Sequence, residues 1–397
     1  MTIHQLATTA LREGRVTVVE EVVQSAVSAR YGTLPEKLHP AVREALKRTY
    51  PKGLYSHQSE GIANGLEGKN VCVCTNTASG KTRIFTSVAI SHLLNFPNSV
   101  VLALYPLRAL LQDQAIKWRE ALLDAGFDGQ AVQRIDGSIP MKERISRLQR
   151  GRIVLMTPDV LHAWFLPSIS EQEPASFLRR LSIVILDEAH IYDGIFGSNM
   201  AYLMRRLRSA AGPSSDKGTP SGAAGMQFLA STATMADGEH YMKLLTGVDF
   251  YFIGPERDGT PTFEKRIVHC SISSAGDGYR SFLRKIGRDV LNCDGNERFL
   301  IFTDSRKRVE ELAADLQRSL RGEKEEKTED RSAEPLEEIE SLIANAQILP
   351  YRAGYEDNCR EKIQEALTQA KLKGVVSTSA LELGIDIGNI GLVILIG

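Results

Sequence analysis

Short apolar runs recur along the chain, separated by stretches with helical spacing. Val71-Cys72-Val73-Cys74, Val100-Val101-Leu102-Ala103-Leu104, Ile153-Val154-Leu155-Met156, Ile183-Val184-Ile185-Leu186 and Gln227-Phe228-Leu229-Ala230 show no polar alternation. That is the pattern of strands buried on both faces of a parallel sheet. Helical stretches such as Ser87 to Leu94 and Leu107 to Leu123 lie between them, so the pattern predicts an α/β domain. The rhythm returns in Phe299-Leu300-Ile301-Phe302, Ile348-Leu349, Val375-Val376-Ser377-Thr378 and Leu392-Val393-Ile394-Leu395, which predict a second parallel sheet. Gly254 to Pro261, rich in Gly and Pro, reads as the linker between the two. Upstream, Val16 to Val27 reads as an amphipathic helix. Leu34 to Pro40 reads as a loop, with Pro40 placed to start a helix over Ala41 to Tyr50. The expected organisation is a helical extension over 1–50, a first domain over 51–256 and a second over 257–397. Ser209 to Gly225 and the acidic stretch Arg321 to Glu340 read as surface excursions.

Composition narrows the class. The chain has 397 residues, 43% apolar and 24% charged, the balance of a globular protein. It holds no apolar run of about 18 residues, so no spanning helix is expected. No basic segment leads into an apolar core at the N-terminus, so no secretory signal is expected. The five cysteines are scattered and outline no disulfide framework, which points to a reduced, cytoplasmic setting. With 48 basic against 49 acidic residues, binding of nucleic acid by bulk positive charge is excluded, whereas a local basic groove is not.

Two segments carry chemistry. Thr75-Asn76-Thr77-Ala78-Ser79-Gly80-Lys81-Thr82 follows an apolar strand and opens a helix. In that context backbone amides and a helix N-terminus face an anion, as in a phosphate-binding loop. Lys81 is placed to reach the β- and γ-phosphates and Thr82 to ligate Mg²⁺. Thr75 stands where the strict pattern has its first glycine. The second segment is Ile183 to Leu186 followed by Asp187-Glu188-Ala189-His190, a carboxylate pair at the end of a buried strand. Asp187 is placed to hold Mg²⁺ through water and Glu188 to polarise the attacking water. Cys72, Cys74, Trp118 and Trp164 read as packing residues, and His57 and His162 as solvent-side or hydrogen-bonded.

Gly-Lys-Thr together with Asp-Glu-Ala-His resembles the DEAD/DEAH-box superfamily 2 helicases, and further segments follow in that family's order. Tyr55-Ser56-His57-Gln58 resembles the adenine-reading Q motif, with Tyr55 and Gln58 as its contacts. Tyr105 to Leu110 and Gln112-Asp113-Gln114 resemble motif Ia, Asp136-Gly137-Ser138 a backbone clamp, and Thr157-Pro158-Asp159 motif Ib. Thr232-Ala233-Thr234 stands at motif III, Phe302 to Arg306 at motif IV, and Thr378 to Asp386 at motif V. The resemblance implies two RecA-like P-loop NTPase domains, with ATP and Mg²⁺ as ligands. It implies Lys81, Asp187, Glu188 and His190 as catalytic residues. Tyr55, Gln58, Thr77, Ala78, Ser79, Gly80, Lys81, Thr82, Gly384 and Asp386 would bind nucleotide. Arg108, Gln112, Gly137, Thr157, Pro158, Ser305, Arg306, Thr378 and Ser379 would contact nucleic acid, and Thr232 and Thr234 would couple hydrolysis to movement. Leu34 to Pro40, Asp258-Gly259-Thr260-Pro261, Tyr351 to Tyr355 and the Ala380 to Gly388 run resemble the MrfA-like DNA-repair helicases, which implies 3′→5′ movement on single-stranded DNA, in repair or phage defence.

The family pattern continues after such a strand as Leu392 to Leu395 with motif VI, a helix that supplies an arginine finger, and the MrfA-like helicases carry a cysteine-rich C-terminal domain. This sequence contains neither, so the second domain is expected to be incomplete. A fragment, a split gene whose partner subunit supplies motif VI, and a degenerate locus are the three readings. The chain by itself is then expected to bind ATP and hydrolyse it slowly. The alternatives to a DNA helicase are a nucleotide-binding scaffold subunit and an RNA helicase.

Overall fold

A computed structural model describes residues 16–212, 226–272, 282–285, 298–321, 343, 347–351, 357–378 and 390–396. Ser25–Phe263 forms one compact unit, and the chain before and after it forms another.

The first described segment departs from expectation. Val16–Gln24 is a strand, β1, and not part of a helix; it pairs antiparallel with β11 (Lys265–Ile272). The reason lies in the residue types. Val16, Thr17, Val18, Val19, Val22 and Val23 are β-branched, lose χ1 freedom in a helix and suit a pleated surface. The expected helix after Pro40 is present as Pro40–Thr49, with proline at its first turn.

Within Ser25–Phe263, β2 (Tyr31–Gly32) pairs with β3 (Leu54–Tyr55). The main sheet is built from β4 (Val71–Val73), β5 (Val100–Leu104), β6 (Val132–Ile135), β7 (Ile153–Met156), β8 (Leu181–Leu186), β9 (Gln227–Ser231) and β10 (Tyr251–Ile253). Its order is β10-β4-β9-β8-β5-β7-β6, and all its pairs are parallel. Side chains alternate between two cores. Val71, Val73, Val101, Ala103, Ile183 and Ile185 enter one, packed with the helix Lys81–Asn95. Cys72, Leu102, Leu104, Val184 and Leu186 enter the other, packed with Gly194–Ala211. Two apolar layers explain the unbroken apolar runs. β6, the strand with no such run, is one edge of the sheet, and β10 is the other. β6 carries Gln133 and Arg134 because an edge strand has less surface to cover. Trp118 and Trp164 are core residues, as expected.

The unit boundary falls at Phe263/Glu264, so Gly254 to Pro261 is not a linker between units but part of Ser25–Phe263. Residues 25–50 belong to that unit as well.

The other unit holds β12 (Arg298–Phe302), β13 (Ile348–Tyr351), β14 (Gly374–Ser377) and β15 (Ile390–Leu395) in a parallel sheet of order β13-β14-β12-β15. Phe299 and Ile301 pack on Arg306–Arg321 residues such as Val309 and Leu312, while Leu300 packs with Ile363 and Leu367 on the opposite face. Most of the Ser209 to Gly225 and Arg321 to Glu340 stretches lie outside the described residues. No helix among the described residues is long and apolar enough to cross a membrane.

Candidate functional site

The phosphate-loop segment leaves β4 as an exposed arch at Asn76, Thr77 and Ala78, then turns inward at Ser79. Gly80 caps the helix Lys81–Asn95 with φ +77°. A side chain there is disfavoured twice: L residues resist that φ, and a Cβ would come within 2.4 Å of Gln58 Nε2 and force that side chain to shift. Ala78 also takes a positive φ, 60°. Lys81 is only 7% exposed. Its ammonium donates to the carbonyls of Thr75 (2.9 Å), Asn76 (3.3 Å) and Thr232 (3.3 Å), which fixes it inside the arch. Thr82 is half-buried one residue further along the helix.

β8 delivers Asp187, 4% exposed. Burial, and next to it the charge of Glu188, raise its carboxyl to about 6 against the opposing pull of Ser231 and Lys81. Ser231, the last residue of β9, organises the pair. Its hydroxyl donates to Asp187 Oδ1 and accepts from the Glu188 amide at 3.1 Å. The same amide reaches Asp187 Oδ1 at 3.1 Å. These bonds hold Glu188 at φ 51°, a conformation that costs about 1 kcal/mol or more for a non-glycine residue. His190 Nδ1 accepts from the Ala233 amide at 3.1 Å, so the ring proton sits on Nε2. The 3.4 Å approach of Glu188 Oε2 to that nitrogen is then not an ion pair. Burial, followed by the charge of Lys81, holds the imidazole below its ordinary value and neutral. Thr232 is buried with its amide on Val73 O (3.0 Å), whereas Thr234 is exposed.

The Q-motif residues sit against the arch. Gln58 Oε1 accepts from the Tyr55 amide at 3.1 Å, and its Nε2 donates to the carbonyls of Ser79 (3.1 Å) and Gly80 (3.2 Å). Both ends of the side chain are thereby engaged with backbone. Tyr55 stacks on Tyr31 with centroids 5.6 Å apart.

Parallel strands put all their C-terminal ends at one edge of the sheet, where ligands bind in such folds. The order β4-β9-β8 brings the arch, Thr232 and Asp187 side by side. The next strands, β5-β7-β6, bring Arg108, Thr157 and Gly137 side by side. Arg108 is exposed and lies over Gly137, where a Cβ would come within 2.5 Å of its Nη2. Gln112 accepts from Arg134 at 2.8 Å, and Arg134 pairs with Asp136 at 3.0 Å. Asp136 in turn accepts from the Ser138 amide and hydroxyl. Thr157 and Pro158 are buried at the start of a short helix. In the other unit, Ser305 and Arg306 follow β12 and Thr378 follows β14, its neighbour. Ser379, Gly384 and Asp386 lie outside the described residues.

The sequence left three contributors without a role. Ser231 sits one residue before the Thr-Ala-Thr segment and carries no signal of its own. Of the two readings of His57, solvent-side or hydrogen-bonded, the second holds: it is 0% exposed, and its Nε2 reaches Ser79 O at 3.1 Å. Asp258 accepts from the Asn76 amide at 3.1 Å. The signals for His57 and Asp258 are their places in the Q-motif and Asp-Gly-Thr-Pro segments, neither of which gives the two side chains a role.

The donors present fit Mg²⁺ in the manner of a phosphate-bound ion: one hydroxyl (Thr82) and one buried carboxylate (Asp187), with phosphates and waters completing the shell. The arch offers backbone amides and an ammonium to the phosphates of a nucleotide.

Residues 55–241 match the DEAD/DEAH box helicase family model. The whole chain is 30% identical to the ATP-dependent helicase hrq1 of Schizosaccharomyces pombe, of which it spans 36%. Over 93% of its length it is 27% identical to a Bacillus subtilis protein described as the uncharacterized ATP-dependent helicase YprA, of which it spans 46%. A crystal structure of the helicase MrfA bound to DNA matches all of this chain and 52% of that one, with TM-score 0.83 and 25% identity. The chain therefore spans about a third to a half of the proteins it resembles. Over residues 55–241 the chain is thus similar to DEAD/DEAH box helicases.

Proposed function

We propose that the chain is the motor portion of an ATP-dependent DNA helicase, which binds ATP·Mg²⁺ at the β4-β9-β8 edge and single-stranded nucleic acid at the β5-β7-β6 edge. The observation that carries this reading is the order of one sheet, which sets the two groups of residues next to each other. Lys81 and the amides of Thr77 to Lys81 hold the phosphates. Thr82 and Asp187 would hold Mg²⁺, which would supply charge neutralisation for the transferring phosphoryl group. Glu188 accepts a proton from the attacking water. His190, bonded to the Ala233 amide, joins the carboxylate segment to motif III, so a change at the phosphates reaches β9. Arg108 with Gly137, and Thr157 with Pro158, present groups suited to phosphates and sugars rather than base edges. A structure of MrfA, similar to this chain along its whole length, holds DNA and AMPPNP, which supports DNA over RNA. Movement is 3′→5′.

Steady-state ATPase assays with single-stranded DNA or RNA oligonucleotides test the reading. Lys81→Ala is expected to lose nucleotide binding and turnover, and Glu188→Gln to keep binding and lose turnover. DNA is expected to stimulate more than RNA. Equal affinity and turnover in wild type and Lys81→Ala would overturn the assignment of the site. Unwinding of 5′-tailed but not 3′-tailed duplexes would overturn the direction.

A further inference from the structure

The segment Asp258-Gly259-Thr260-Pro261 has no part in the chemistry above, yet it is bonded to the arch from below. Asp258 Oδ2 accepts from the Asn76 amide at 3.1 Å, at the first exposed residue of the arch. Asp258 Oδ1 accepts from the Thr260 amide (2.9 Å) and hydroxyl (2.7 Å), which closes a tight turn. The Gly259 amide donates to His57 Nδ1 at 3.2 Å, so the proton of the buried ring sits on Nε2 and is given to Ser79 O. One turn thus grips the arch at both ends, at Asn76 directly and at Ser79 through His57. Gly259 must be glycine here, since a Cβ would meet Arg30 O at 2.7 Å and Ser56 N at 2.8 Å.

The turn is itself anchored in a paired stretch of chain. The Arg30 amide donates to Gly259 O (2.9 Å), and Arg30 Nη2 donates to Glu256 O (3.0 Å) and Asp258 O (2.7 Å). Val27 and Thr262 exchange both backbone bonds at 3.0 Å. Beyond them Gln24 pairs with Lys265 and Val22 with Ile267, in the same antiparallel register.

We infer that Asp258 is a positioning residue for nucleotide binding: it ties the phosphate arch to the paired segments 25–30 and 258–263, so that nucleotide at the arch and pairing in those segments support each other. The inference rests on the arch being the ATP site, and the coupling is reciprocal by linkage.

Hydrogen exchange and ATPase kinetics on the full chain test it. Asp258→Asn keeps an oxygen for Thr260 but sets an NH₂ against the Asn76 amide, whereas Thr260→Val removes only the hydroxyl contact. Without nucleotide, exchange at Asn76–Ser79 is expected to quicken about tenfold or more in Asp258→Asn and to stay near wild type in Thr260→Val. AMPPNP is expected to slow exchange at Val27, Arg30 and Thr262 in wild type and less in Asp258→Asn. The KM for ATP is expected to rise about tenfold in Asp258→Asn with kcat changed far less, a split that general loss of folding would not give. Wild-type exchange at Asn76–Ser79 in Asp258→Asn would overturn the inference, and so would wild-type KM in that variant. Failure of wild type to bind nucleotide would sink the ATP-site reading instead, and the nucleotide-free exchange would still decide the role of Asp258.

Discussion

Ser231 shows how much of this site depends on one small side chain. Its hydroxyl sits between a carboxylate that burial pushes toward protonation and an amide held in a left-handed turn. Removing it leaves the Glu188 amide with Asp187 alone, and leaves Asp187 without its shortest partner. Ser231→Ala is therefore expected to lower kcat by about tenfold or more with a smaller change in KM, since it misplaces the base rather than the phosphates. Stopped-flow measurement of the hydrolysis step checks this. Gly80 is a second such position. Gly80→Ala meets both the φ penalty and Gln58 Nε2, and is expected to abolish nucleotide binding. Gly126 has nearly the same φ, +76°, but open space around it, so Gly126→Ala is expected to cost only about 1 kcal/mol of stability and no binding. Thermal melts beside nucleotide titrations separate the two. These roles are hard to read from sequence because Ser231, His57 and Asp258 act through hydrogen bonds between segments far apart in the chain. Lys81, Asp187 and Glu188, by contrast, are legible because strand, turn and helix follow one another locally.

The elements were legible where burial imposes a pattern. Every apolar run named above forms a strand, because strands covered on both faces must be apolar throughout. The edge strand β6 escapes such reading, and β1 is a strand and not a helix because its β-branched valines suit pairing with β11, far along the sequence. The helix Lys81–Asn95 carries a testable pH response. His92 lies within it, its ring tilted against Phe96 with centroids 4.8 Å apart. Burial, helped by the Arg152 charge, takes its pKa from 6.5 to about 4. The fold therefore binds that proton less readily than the unfolded chain does. Stability is full above pH 6.5 and falls as pH drops toward 4, with a slope of at most about 1.4 kcal/mol per pH unit from this group. Denaturant melts between pH 7 and 4.5 are expected to show a shallower loss in His92→Gln than in wild type. Equal slopes would mean that His92 titrates alike in the folded and unfolded chain.

At the scale of the molecule, the proposed function has one parallel sheet serve two ligands through the order of its strands. The strands that carry nucleotide residues stand together, and so do those that carry Arg108, Thr157 and Gly137. The nucleotide grouping does not follow from the order of the motifs in the sequence, where Arg108, Gly137 and Thr157 fall between Lys81 and Asp187. The sheet separates what the chain interleaves. The central claim is that these neighbouring edges are coupled, and the most direct measurement is the rate of ATP hydrolysis by the 397-residue chain with and without single-stranded DNA. The rate is expected to rise with DNA and to lose that rise in Arg108→Ala, while the rate without DNA stays the same in both. An identical rate with and without DNA, or an undiminished rise in Arg108→Ala, would contradict the account.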